Sequence, residues 1–203
     1  MTSRRELVLA SASPRRLELL RSIGIDVRVV PSRYDEPQCD DLTPRQLAML
    51  HAREKANEVA ARLPDALIVA ADTVVDLDGG ALGKPRDDAD ARRMLRALSG
   101  RAHDVHTAFT LVDPATRTSC SEVETTRVWF YELDDEQIAT YVASGDPADK
   151  AGAYGIQGSG ATLVRRVEGD FYTVMGFPLG RFARALARLG LSPNGAKQKD
   201  SLT

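Results

Sequence analysis

From Ala66 to Val75 the chain reads Ala-Leu-Ile-Val-Ala-Ala-Asp-Thr-Val-Val, and no other stretch restricts the fold as tightly. Ten residues are too few for a membrane span, which needs roughly 20 apolar residues. A run of this kind, closed by the turn signal Asp78-Gly79-Gly80, predicts a buried strand. In extended backbone Leu67, Val69, Ala71 and Val75 share one face, with Ile68, Ala70 and Val74 on the other. Asp72 falls on that second face. Ionised carboxylates are rarely placed in such a run unless paired, hydrogen-bonded or bound to a metal. Asp72 is therefore the first candidate functional residue; the other reading is a carboxylate that caps a bend where the strand leaves the core.

Strand and helix signals alternate around this strand. Leu7 to Ala10 reads as a short strand running into Ser11-Ala12-Ser13-Pro14, where Ser13 can cap a helix with Pro14 at its first position. That helix sets Leu17, Leu20 and Ile23 at helical spacing and ends at Gly24. Residues 27–30 make a second strand. Thr43-Pro44 repeats the cap-plus-proline signal and opens a helix to about Arg62, with Leu47, Leu50, Ala56 and Val59 facing inward. Asp87 to Leu98 is a further helix, stopping at Ser99-Gly100. Residues 103–112 and 123–131 are strands separated by fewer residues than the dozen or so of a parallel crossover, which predicts an antiparallel pair. Asp134-Asp135-Glu136-Gln137 has the form of a capping box and begins a helix through Val142. A glycine-rich loop, a strand near 162–167 and a last helix from Pro178 to Leu189, with Phe182, Leu186 and Leu189 on one side, complete the order. The expected class is α/β: a mixed, partly antiparallel sheet flanked by helices, in two lobes around a central cleft. One domain over residues 1–192 fits a chain of 203. The polar stretch from Pro193 to Thr203 is expected to be a disordered tail.

Composition excludes more than it suggests. Net charge is −2, from 27 basic and 29 acidic residues, so no global field favours nucleic acid or an anionic membrane. Any anion site must be a local cluster of cations. Cys39 and Cys120 form no Cys-x-x-Cys arrangement, and together with an N-terminus lacking a secretory apolar region they point to the cytoplasm. No Walker-type phosphate loop is present, and Gly155, Gly158 and Gly160 have the wrong spacing for a dinucleotide fingerprint. His51, His103 and His106 make no zinc-like pair, and His103 and His106 on one strand read as structural.

Two arginines break a local rule. Arg15 and Arg16 stand in the first turn of the first helix, where cations oppose the dipole and where the capping box puts Glu or Gln in place of Arg16. A bound anion would reverse the sign, because free N–H groups, the Ser11 and Ser13 hydroxyls and two guanidinium forks would converge on it. The alternative is that both arginines point into water; either way, removing Arg16 should relieve a helix-end repulsion. Lys55 has Ala52 and Val59 as helical neighbours and either edges inward or snorkels outward. Lys84 lies in the stiff turn Gly83-Lys84-Pro85, and Asp35-Glu36 is a loop carboxylate pair.

Taken together, Leu9-Ala10-Ser11-Ala12-Ser13-Pro14-Arg15-Arg16, Asp35-Glu36, Ala71-Asp72-Thr73-Val74, Gly83-Lys84-Pro85 and the run from Lys150 to Gly158 resemble the Maf family, from about Val8 to Leu189. The resemblance implies cytoplasmic, dimeric nucleotide pyrophosphatases, once described as septum-formation inhibitors. Asp-Thr-Val at 72–74 and Gly-Ile-Gln-Gly at 155–158 are similar to the branch acting on dTTP and UTP rather than on 7-methyl-GTP. It implies that Asp72 accepts the proton of water. It marks Arg15, Thr73 and Gln157 for substrate choice, and sets Ser11, Arg16, Glu36, Lys55 and Lys84 in the polar cleft. Glu36 and Asp72 are oxygen ligands of the kind Mg²⁺ or Mn²⁺ prefers. The expectation is thus a metal-dependent homodimeric enzyme acting on pyrimidine nucleoside triphosphates, with modified nucleotides included, and with no nucleic-acid or membrane partner. The alternative is a nucleotide-binding regulator of cell division that acts by binding rather than turnover.

Overall fold

A computed structural model describes residues 5–37, 39 and 41–190, and the expected tail from Pro193 lies outside these residues. Strands β1 (Leu7–Leu9), β2 (Arg28–Val29), β3 (Leu67–Leu77), β4 (Gly80–Leu82), β5 (Ala102–Asp113), β6 (Thr118–Phe130) and β7 (Val164–Glu168) form one sheet. Its order is β2-β1-β3-β5-β6-β7, with β4 folded back on β3. β1 pairs in parallel with β2 and β3; every other pairing is antiparallel. Helices α1 (Pro14–Ser22), α2 (Pro44–Arg62), α3 (Asp88–Leu98), α4 (Asp135–Ala143), α5 (Phe171–Met175) and α6 (Leu179–Arg188) flank it. The α/β class with a mixed sheet is as expected.

The helix starts follow their local chemistry. Thr43 and Gln46 form a complete capping box at α2, and Asp134 with Gln137 forms another at α4, each contributing about 1 kcal/mol. Ser13 is different: it occupies the N-cap position of α1, but its hydroxyl makes no capping bond.

Inward positions shift where tertiary packing decides them. In α1 the buried residues are Leu19 and Leu20, while Ile23 falls at the C-cap and is exposed. In α2 the buried stripe is Ala48, His51, Ala52, Ala56 and Val59, with Leu47 and Leu50 only half-buried. Small alanines let the helix axis approach the sheet, and the bulkier leucines are pushed to the flanks. Leu189 lies beyond the end of α6 and is exposed, although Phe182 and Leu186 are buried as expected. β4 and α5, with three and five residues, are too short to leave a periodic signal in the sequence.

Separate buried clusters line the two faces of the sheet. Leu67, Val69 and Ala71 on one face of β3 pack with Leu20, Phe109, Phe177, Phe182 and Leu186, against α1 and α6. On the opposite face, Ile68 and Ala70 pack against Ala56 and Val59 of α2. Farther along, Val75 enters a second core with Leu95, Val105, Ile138, Tyr141 and Tyr154. Asp72 and Thr73 fall at the seam where this long strand passes from one set of clusters to the next, Thr73 between Ala71 and Val75 on one face and Asp72 between Ala70 and Val74 on the other.

Candidate active site

Alternation along β3 sends the two seam residues to opposite faces. Asp72 points to the α2 face and is 6% exposed. Its Oδ1 lies 2.6 Å from the Lys55 Nζ, and the same ammonium lies 2.7 Å from Glu36 Oε1. Lys55 thus sits inward, between two carboxylates, with one of its three donors uncommitted. Burial pushes the Glu36 carboxyl up, but the Lys55 hydrogen bond and charge, with smaller help from His51 and Lys84, bring it below its ordinary value. Tyr34 steadies the loop that carries Glu36, its hydroxyl lying 3.2 Å from Nδ1 of the buried His51 one turn before Lys55.

On the other face lies Arg16. Its Nε donates to the Gly176 carbonyl at 3.0 Å, Nη1 to Ser11 Oγ at 3.2 Å and Nη2 to Thr73 Oγ1 at 3.2 Å. Burial lowers its pKa, while the charges of Asp72 and Glu36 work to raise it. A guanidinium has five N–H donors, and two remain for an anion. Ser11 Oγ also accepts the backbone N–H of Ser13 at 3.2 Å, so the Ser11 hydroxyl keeps its proton free for a ligand. Arg16 is therefore not a free helix-end charge: its guanidinium is anchored by nearby Ser11 and by Thr73 and Gly176, both distant in sequence.

The two arginines do not converge. Arg15 reaches instead to Asp149, 3.5 Å away on the short helical turn after α4. Lys84 is exposed, with its charge felt at Glu36. Gln157 is exposed in the glycine-rich loop, and no described residue hydrogen-bonds its side chain. That loop is held from beneath: Tyr141 Oη accepts the Gly155 N–H at 3.0 Å and donates to Asp146 at 2.9 Å. Gly160 is required there, because a Cβ would come within 2.0 Å of the Gly155 carbonyl. Lys150, in the same motif, is bound by Asp146 and Asp149.

His103 and His106 point to opposite faces. His106 joins Asp76 and Thr125 at 3.2 and 2.9 Å, whereas buried His103 meets only Tyr154 Oη, at 2.7 Å. Gly176, Tyr141 and Asp149 carry no signal in the sequence that marks them for the site, and neither does Thr107, which donates to the Thr173 carbonyl at 2.7 Å and meets Thr73 at 2.9 Å. Threonines and tyrosines in ordinary strands and helices carry no local signal of their distant partners.

Asp72 Oδ2 and Glu36 Oε2 accept no hydrogen bond from any described residue, so two hard oxygens remain available to a cation. Among the described residues no cluster of three His, Cys, Asp or Glu could enclose a metal. Two carboxylates completed by water and phosphate oxygens suit Mg²⁺, which rarely takes an all-protein cage.

The mixed sheet thus carries the buried Asp72 on one face, paired through Lys55 with Glu36 of an exposed loop, and an anchored guanidinium on the other, a class of site with both hard oxygens and spare N–H donors. Comparison makes this particular. The chain belongs to the Maf family, whose model, described as Maf-like protein, matches residues 6–189. Proteins called dTTP/UTP pyrophosphatase are similar along almost their whole length. That of Carboxydothermus hydrogenoformans is 46% identical over 91% of this chain and 99% of its own. The protein from Methanosarcina mazei is 47% identical over 93% and 96%, and the one from Bacillus velezensis 44% over 94% and 99%. A HAM1 protein from Coxiella burnetii overlaps the fold loosely, with TM-score 0.49 and 17% identity over 91% of this chain and 99% of that one.

Proposed function

We propose that this protein hydrolyses nucleoside triphosphates, dTTP and UTP above all, to the monophosphate and pyrophosphate. The observation that carries the reading is Asp72, a buried carboxylate pinned through one oxygen by Lys55, which also binds Glu36, with the charges of Arg16 and Lys84 acting on this pair. The names of its relatives supply the substrate class and favour turnover over a purely regulatory role in cell division.

The chemistry follows from the placement. The free N–H groups of Arg16, the remaining Lys55 donor and the Ser11 hydroxyl hold phosphate oxygens and hold the α-phosphorus near Asp72. Lys55 fixes the Asp72 carboxylate, which orients the attacking water and takes its proton. The new oxygen–phosphorus bond forms as the bridge to the β-phosphate breaks, and the electron pair leaves with pyrophosphate. A divalent cation held by Glu36 and Asp72 would neutralise charge on the phosphates. Charge stabilisation and positioning do the remaining work, with no covalent intermediate. Arg15, Ser13, Thr73 and Gln157 belong to the same substrate-binding set, and residues 1–192 act as one catalytic unit, as a homodimer in the cytoplasm. No described helix is long and apolar enough to cross a membrane.

The test is the product. Purified protein with Mg²⁺ or Mn²⁺ and labelled dTTP should release dTMP and pyrophosphate, and excess EDTA should abolish turnover. Formation of dTDP and orthophosphate would refute the reaction, and full activity in EDTA would refute the metal.

A further inference from the structure

Behind the Arg16 guanidinium runs a chain of hydroxyls whose polarity can be worked out donor by donor. Thr107 on β5 lies opposite Thr73 on β3 and is 0% exposed. Its Oγ1 is 2.7 Å from the backbone carbonyl of Thr173. A carbonyl can only accept, so the single hydroxyl proton of Thr107 is committed there. Thr73 Oγ1 is 2.9 Å from Thr107 Oγ1. With the Thr107 proton already placed, Thr73 must be the donor in that bond. Its own proton is then used, and toward Arg16 Nη2 it can only accept, which suits a guanidinium that only donates. The order is fixed from end to end: Arg16 to Thr73, to Thr107, to the Thr173 carbonyl. Each bond in such a chain polarises the next.

The same short helix closes the loop. Thr173 lies within α5, and Gly176 is its C-cap, at φ 106°, a left-handed conformation that favours glycine. Gly176 takes the Arg16 Nε while Thr173 anchors the hydroxyl chain that ends on Nη2. One short helix and its C-cap thus anchor the fork at Nε directly and at Nη2 through Thr107 and Thr73.

We propose that Thr107 is a positioning residue of the nucleotide site, acting through Thr73 to hold the Arg16 fork so that its two uncommitted N–H groups meet substrate phosphate. This rests on the pyrophosphatase reading. It also changes the part played by position 73: with its proton given to Thr107, the Thr73 hydroxyl cannot donate to a base, and its influence on the substrate passes through the fork.

Thr107→Val removes the hydroxyl at nearly constant volume and retains a β-branched residue on the strand. It strands no buried acceptor at the far end, because the Thr173 carbonyl still receives the Gly176 N–H at 3.0 Å. The expected result is a rise of about tenfold in KM for dTTP, the size of one hydrogen bond, with kcat changed less than about threefold. Thr107→Ser should restore KM. In a Thr73→Val background the chain is already cut, so adding Thr107→Val should change KM by less than about twofold; a purely structural role would give additive effects instead.

A readout without nucleotide separates this proposal from the reaction itself. In the unliganded protein the Arg16 Nε–H resonance, assigned by its loss in Arg16→Lys, should exchange with water several-fold faster in Thr107→Val and at the native rate in Thr107→Ser. If Thr107→Val does not fold, Thr107→Cys serves for both measurements. An unchanged exchange rate overturns the proposal even in a chain that proves not to cut dTTP. A tenfold KM effect that persists in full beside Thr73→Val also overturns it.

Discussion

Replacing His103 by glutamine should flatten the acid side of the stability profile. His103 is 2% exposed, packed edge-on against Phe130 and Tyr154, and its Nδ1 has no partner. Burial pulls its pKa from the ordinary 6.5 to about 4. The unfolded chain therefore binds a proton near pH 6.5 that the folded chain refuses until about pH 4, so stability falls as pH drops through this window. At about 1.4 kcal/mol per decade, the loss reaches roughly 3 kcal/mol in full, with about 2 kcal/mol of it between pH 7 and pH 5. The lowered carboxyls of Glu36, Glu58, Asp90, Asp113 and Asp149 act mainly below pH 5 and leave that interval to the histidine. The assay is urea unfolding of nucleotide-free protein at pH 7 and pH 5. The native chain should lose about 2 kcal/mol more than His103→Gln, in which an amide can still meet the Tyr154 hydroxyl. In thermal melts this is a difference of roughly 4–8 °C for a chain of this size. Equal losses in the two proteins would refute the argument, since they would mean that His103 takes up its proton in the folded state.

Asp72→Asn should retain the fold and lower kcat by about 10²–10⁴-fold, the usual share of a general base; near-native kcat would place the base elsewhere. Arg16→Ala should raise KM for dTTP and also cost about 1–3 kcal/mol in urea unfolding, because it leaves the Gly176 carbonyl and the Ser11 and Thr73 hydroxyls short of a donor. Unchanged stability would show that water replaces the guanidinium freely. Gln157→Ala should narrow the preference for dTTP and UTP over ATP and GTP more than it lowers the best rate, as a glutamine amide matches the N3–H and carbonyls of thymine and uracil. Equal losses on every nucleotide would mean that the base is chosen by other groups.

Much of the architecture was legible in the sequence because its signals are local. A capping box joins groups three residues apart, and the one at Asp134–Gln137 forms as read, while the cap-plus-proline signal at Thr43-Pro44 opens α2 and is completed by Gln46. Asp72 was conspicuous because an apolar run makes one carboxylate an exception, and the short gap between β5 and β6 allowed only an antiparallel turn. The family motifs, spread over nearly the whole chain, carried the substrate class. Tertiary structure alone decided how the site is wired. Lys55 reads more readily as a snorkelling surface residue until the alanine stripe of α2 seats it between Asp72 and Glu36. Arg16 looks like a misplaced helix-end charge until Gly176, 160 residues away, and Thr73, 57 away, take its donors. Thr107 in the sequence is one more strand threonine, and α5 is too short to show a period. A hydrogen bond depends on where donor and acceptor lie in space, so partners brought together by folding leave no spacing in the sequence to be read.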